Sequence, residues 1–294
     1  MTNVLGIDHP LIAVRDMDQA RRNYEALGFA FRPRSQHPWG TSTSLAVFRR
    51  QLLELVSIGD DGLLDAHGAG QFRFGRHVAG HLAQREGIAL TALYSDDAAS
   101  DANDVQSRGG HCDGLIRFGR DVLTRDGKKD RTATTLAVFR REGLDRLAMF
   151  ACQQHRRDLI EHVDWMQHPN GVYRIASGTI MAPQNRIAEV CDWLRVVHGT
   201  LAEPMPWGYR VPTGNGCWHV TDYAGAVRLL GVVPPELGAG GGPAILSIDF
   251  ACRDLGRVRP FLETGGFTFH AVENRLVLTR TPRLGGVMPI FQEG

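Results

Sequence analysis

The sequence predicts an α+β protein built from four βαβββ modules, and three observations lead there. The segment from Gly6 to Phe29 reads as a buried strand running into an amphipathic helix. It recurs at Gly87, displaced by 81 residues, and more weakly at Ala244, displaced by 238. The run LAVFRR at residues 45–50 returns unchanged at 136–141, displaced by 91. A third strand–helix pair, from Val172 to Gly199, fills the interval between the second copy and the last. A sheet with a helix on one face leaves its other face unburied, so such modules should pair. Four modules then make two pairs, residues 1–154 and 171–294, joined by a connection at 155–170.

Each element has a local reason. Ile7 to Val14 is apolar and β-branched enough for a strand. Asp16 stands at a helix N-cap position, with Gln19 three residues on completing a capping-box pattern. Ala20, Tyr24 and Leu27 mark one helical face, and Gly28 suits the residue past the helix end. Thr41 to Phe48 and Leu52 to Ile58 read as strands around a turn at Arg49 and Arg50, with Glu54 inside the second. Residues 59–75, rich in Gly and Asp, read as a surface excursion, and 76–85 as a short helix. In the second copy Asp97 and Gly109 repeat Asp16 and Gly28, about ten residues are inserted before LAVFRR, and Leu147 to Ala151 takes the place of the Glu54 strand.

The connection, polar and rich in histidine, should be partly helical over 156–166 and end in the HPNG turn at His168–Gly171. A strand follows, then a helix over 186–197 closed by Gly199. The Gly- and Pro-rich stretch 204–216 reads as irregular chain over a rim. Residues 222–230 suit a short helix, and PPELGAGGGP at 234–243 a linker. In the last copy Asp254, Gly266 and Phe267 fall on Asp16, Gly28 and Phe29, while Pro260 should kink its helix or leave the start irregular. Residues 276–278 and 287–291 supply the final strands.

Composition narrows the function. Apolar residues make up 43% and charged residues 22% of the chain, as in soluble globular proteins. A net charge of +1 gives no reason to expect a nucleic-acid or membrane partner. No apolar stretch approaches the roughly 20 residues of a membrane span. The N-terminus lacks a secretory pattern, and five widely spaced cysteines without a C-x-x-C pair suggest a reducing compartment, hence the cytoplasm. GAGGG at 238–242 lacks the lysine and helix of a phosphate loop, so no nucleotide cofactor is expected.

His9 in IDHPLIAV, the DMDQARRNYEALGF helix and the LLELV strand resemble the vicinal oxygen chelate superfamily of glyoxalases, extradiol dioxygenases and bleomycin-resistance proteins. The whole chain resembles a four-module glyoxalase-like domain protein. The resemblance implies two paired curved-sheet barrels, each around a cavity. It implies a divalent metal, Mn, Fe, Ni or Zn, held by His9 and Glu54, with Glu54 as ligand or catalytic base. The positions matching His9 in the other modules fall on Leu90, Ser177 and Ser247, and that matching Glu54 on Ala148 or Met149. A metal site normally needs three protein ligands or more, so His37, His111, His155 and His219 are candidates for completing the set, as is a homodimer partner.

Two functions follow as expectations. One is a metal-dependent lyase or dioxygenase acting on a small metabolite with vicinal oxygens. The alternative is a metal-free protein that binds or sequesters a small molecule, with His9 and Glu54 simply hydrogen-bonded inside the barrel. Trp39, Trp207, Tyr209 and Trp218 are candidates for lining the pocket. The arginine pairs Arg49–Arg50 and Arg140–Arg141 read as solvated hairpin ends rather than an anion clamp. A Cys112–His111 nucleophile is disfavoured because adjacent strand residues face opposite ways.

Overall fold

A computed structural model of the chain describes residues 4–124, 126–233, 242–279 and 282–294. Residues 234–241 of the expected linker lie outside the described residues. The first module comprises β1 (Gly6–Ala13), α1 (Met17–Ala26), β2 (Ser35–Gln36), β3 (Thr41–Phe48) and β4 (Gln51–Ile58). A linking helix, α2 (Phe74–Gln84), leads to the second module: β5 (Gly87–Ser95), α3 (Ala98–Ser107), β6 (His111–Phe118), β7 (Thr134–Arg140) and β8 (Met149–Gln154). The third holds β9 (Val172–Met181), α4 (Ile187–His198), β10 (Glu203–Met205), β11 (Gly208–Pro212) and β12 (Cys217–Thr221). After α5 (Tyr223–Leu230) come β13 (Ala244–Cys252), α6 (Leu255–Thr264), β14 (Phe269–Val272), β15 (Arg275–Leu278) and β16 (Met288–Glu293).

The modules pair into two curved eight-stranded sheets of one topology, as expected. Their orders are β2-β3-β4-β1-β5-β8-β7-β6 and β10-β11-β12-β9-β13-β16-β15-β14. In each, the first strands of two modules meet antiparallel at the centre, and each lies parallel to the last strand of its own module. Strand alternation sorts the side chains into layers. On β7, Ala137 and Phe139 enter a large core shared by both sheets and by α1, α3, α4 and α6, whereas Leu136 and Val138 face a second core under α2. The second sheet repeats this, with α5 packed over Val277, Met288 and Ile290.

Helix ends follow the sequence signals. Asp16, Asp97 and Asp254 each cap a helix by accepting backbone N–H groups. Gly28, Gly109 and Gly266 each hold a positive φ just past the helix, which a residue with a Cβ would resist. The capping box is only half formed, because the Gln19 amide turns to Asn23 (3.0 Å) instead of back to the cap. α6 runs through Pro260 as one assigned helix.

Residues 156–166 are partly helical, as expected, in two short 3₁₀ turns, Arg157–Leu159 and Val163–Met166. Other expectations need correcting. The stretch 204–216 is largely the β10–β11 hairpin. β8 starts at Met149 because Asp145–Leu147 closes a 3₁₀ turn just before it. Arg140 and Arg141 are not simply solvated: they pair with Asp113 and, across the two sheets, with Asp192 of α4.

Two side-chain amides, Gln51 and Asn215, tie the sheets at Ile7 on the central strand of the first. Gln51 donates to the carbonyls of Ile7 and Ile175 (3.0 Å each) and accepts the Ile175 N–H (2.9 Å). Gln51→Ala would take the side-chain partner from both backbone groups of Ile175, while Asn215 still bonds the Ile7 carbonyl (2.8 Å), and is expected to cost roughly 1–3 kcal/mol, read from urea unfolding. A loss under about 0.5 kcal/mol would mean that water or a shifted backbone replaces the amide.

Candidate ligand-binding site

The central strands of the first sheet carry the polar residues. His9 on β1 and Glu54 on β4 are 4% exposed each, in adjacent parallel strands. His9 Nε2 lies 3.0 Å from Glu54 Oε2, and His9 Nδ1 2.9 Å from Asp8 Oδ1. Asp8 and His9 are neighbours on one strand and would ordinarily face opposite ways. A register shift between Ile7 and His9 brings them together.

The Thr43 hydroxyl donates to Glu54 Oε1 (2.7 Å). Arg157, in the first 3₁₀ turn of the connection, lies 2.8 Å from Asp8 Oδ2 and 2.9 Å from Glu161, and stacks over Tyr94.

This packing fixes the charges. Burial alone would lower the His9 pKa, but Asp8 and then Glu54 overcome it and raise it to about 9. Burial alone would raise that of Glu54, but its hydrogen bond to His9 and the imidazolium charge bring it down to about 2. Asp8 is likewise held down by His9 and Arg157 against its own burial. The centre is therefore a carboxylate–imidazolium–carboxylate chain closed by a guanidinium.

Beside it is a cavity of about 40 Å³. Its buried walls are Leu11, Trp39, Thr43, Leu52, Phe74, Leu136, Phe150 and Cys152, with His9 and Glu54 between them. Half-exposed residues form the rim: His37, Leu45, Phe118, Arg120, Gln154 and Ile160.

His37 stacks flat on Trp39 (4.8 Å) with Nδ1 3.0 Å from Thr41 Oγ1, and burial followed by Arg120 pushes its pKa down to about 3, so it is neutral. Larger hollows, about 200 Å³ by Trp207 and Tyr209 and about 440 Å³ by His155, are open grooves, the second meeting the cavity rim at Phe118.

The structure thus brings together His9, Glu54, His37 and Trp39 and separates the rest. The His111 side chain is 69% exposed on edge strand β6. His155 bonds Thr135 (2.9 Å), away from the cavity. His219 belongs to the second sheet, 4.0 Å from the buried Asp249, which Ser177 and Ser247 also contact. Trp218 is core, its indole donating to His198 (3.1 Å). Asp8, Thr43, Arg120 and Arg157 escaped the sequence reading. The one local signal was the second-copy insertion, which forms a hairpin (Asp121–Leu123 with Lys129–Arg131) directly after Arg120.

The expected metal centre is overturned. Among the described residues no group of three or more His, Cys, Asp or Glu side chains is placed to hold a metal ion. Both nitrogens of His9 face carboxylates, and an imidazolium has no lone pair to give a cation. The strand register explains the missing ligands. Glu54 lies opposite Leu11 and Leu45, and the corresponding partners of Ala92 and Leu136 are Phe150 and Cys152, not Ala148 or Met149. Both line the cavity and neither is a carboxylate. A Mn, Fe, Ni or Zn ion does not fit this donor set, and the lyase and dioxygenase expectations that needed one lose their support.

Paired βαβββ modules closing curved sheets around a cavity define the architecture of the vicinal oxygen chelate superfamily. The sequence family described as "Glyoxalase-like domain" matches residues 7–195, and the chain belongs to it. No curated protein matches the sequence significantly.

Among solved structures, a hypothetical protein from Staphylococcus aureus is similar over 99% of this chain and 100% of its own, at 13% identity and a TM-score of 0.69. A mutant of 4-hydroxymandelate synthase from Streptomyces coelicolor is similar over 99% and 93%, at 10% identity and 0.58. A xylose isomerase-like TIM barrel/4-hydroxyphenylpyruvate dioxygenase fusion protein is similar over 99% of this chain and 49% of its own, at 11% identity and 0.56. At such identities the likeness is one of fold.

Proposed function

We propose that the chain binds a small molecule in the first-sheet cavity without a resident metal ion. The observation that carries this reading is the cavity itself: largely apolar and aromatic walls around a His9–Glu54 pair whose charges already satisfy each other. On this reading His9 and Glu54 are a polar wall, Trp39 and His37 a stacked side, and residues 1–154 the ligand-bearing unit. Residues 155–170 connect it to 171–294, which support it. Five free cysteines suit a cytoplasmic setting. A volume of about 40 Å³ holds about three water molecules, so the ligand is small or leaves part of itself at the rim.

A ligand-observed NMR screen of small compounds with apolar bodies should find binders that compete with one another and are unaffected by EDTA. Leu45→Trp, which places an indole at the rim, should abolish their signals. Binding that appears only on adding a divalent metal, or that survives Leu45→Trp, would count against the proposal.

A further inference from the structure

We infer that the cavity takes a short-chain monocarboxylate, with its carboxylate at the rim on Arg120 and its apolar body on the floor. This deepens the ligand-binding reading above and rests on it. Arg120 contributes to the rim, and its hydrogen-bond partner among the described residues is a neutral hydroxyl, Ser35 Oγ at 2.8 Å. A guanidinium has five donors in a fork that matches a carboxylate, and in a partly desolvated place it favours an anion over a hydroxyl.

The charges nearby do not supply that anion. Glu54 feels Arg120 but is occupied by His9 and Thr43, and Asp8 by His9 and Arg157. Glu161 is likewise taken by Arg157, so none of the three carboxylates pairs directly with Arg120. A second donor waits in the same wall, since Trp39 Nε1 is buried with no hydrogen-bond partner. Burial lowers the Arg120 pKa, and the nearby Glu54 charge offsets this only in part. The floor is apolar, built from Leu11, Phe74, Leu136 and Phe150, and its volume suits a body of a few carbons.

The test titrates the full-length protein with acetate, isobutyrate and the neutral isostere isobutyramide, following backbone amide shifts of cavity residues. Isobutyrate should bind more tightly than acetate, and roughly 10- to 100-fold more tightly than isobutyramide. Arg120→Met should erase the preference for carboxylate over amide, and Arg120→Lys should keep part of it. Equal binding of isobutyrate and isobutyramide, or a preference that survives Arg120→Met, would overturn the inference while leaving a ligand-binding cavity in place. Shifts outside the cavity with all three probes, or none, would overturn both.

Discussion

Replacing His9 by alanine is expected to cost about 3–5 kcal/mol of folding stability near pH 6, more than a cavity of that size explains. The substitution leaves Glu54 buried and charged with only the Thr43 hydroxyl bonded to it, and uncompensated buried charges are costly. The loss should depend on pH in a set direction. The His9 pKa is raised in the fold, so its contribution is complete below about 6.5 and is lost as pH climbs through about 9. The Glu54 pKa is depressed, so its contribution is complete above about 4.5 and is lost as pH falls toward about 2. The gap between the proteins should therefore be widest between pH 4.5 and 6.5 and narrow on both sides. Urea unfolding at pH 3.5, 6 and 9.5 reads it directly. A gap below 1 kcal/mol at pH 6, or one independent of pH, would show that the chain of charges contributes little.

Phe29→Ala is expected to cost a similar 3–5 kcal/mol, for an apolar reason. Phe29 follows α1 and sits where the two halves of the molecule meet. Its ring centroid lies 4.9 Å from Phe250, 6.1 Å from Phe291 and 5.8 Å from His168. The surrounding sheets are braced by their own hydrogen bonds and cannot collapse into the gap. Nearby, His168 accepts the Ala30 N–H and bonds the Val47 carbonyl (3.0 Å each), so its neutral ring is fixed as well. The expected signature is a lower urea midpoint with one transition for both halves. Two separated transitions would mean that the shared core does not couple them, and a loss under 1.5 kcal/mol that the site repacks.

How much the sequence revealed depended on how local each determinant is. Caps and terminators act within a few residues, so Asp16, Asp97 and Asp254, with Gly28, Gly109 and Gly266, made three copies readable. The third module was faint for a matching reason: Arg186 precedes α4 and makes no side-chain cap. β10 and β11 were hidden because Gly208 and its prolines belong to a tight hairpin, which reads like irregular chain.

At the site, the positions of His9 and Glu54 were legible but their chemistry was not. That depends on an irregular register at Asp8 and on an arginine 149 residues away in sequence. Counting histidines overestimated the ligands because it could not tell which imidazoles already had partners.

The repeat has a stereochemical consequence. The first sheet has an approximate dyad where Pro10 faces Thr91, and it relates Leu45 to Leu136, both in the cavity lining. A perfect dyad would offer a guest two equivalent poses, one the reverse of the other. Here one side presents His9 and Glu54 and the other Phe150 and Cys152, so the degeneracy is lifted and a guest has a defined head and tail. Such a hollow is directional on the scale of its guest, and a molecule with unlike ends meets it with different energies in its two reversed orientations.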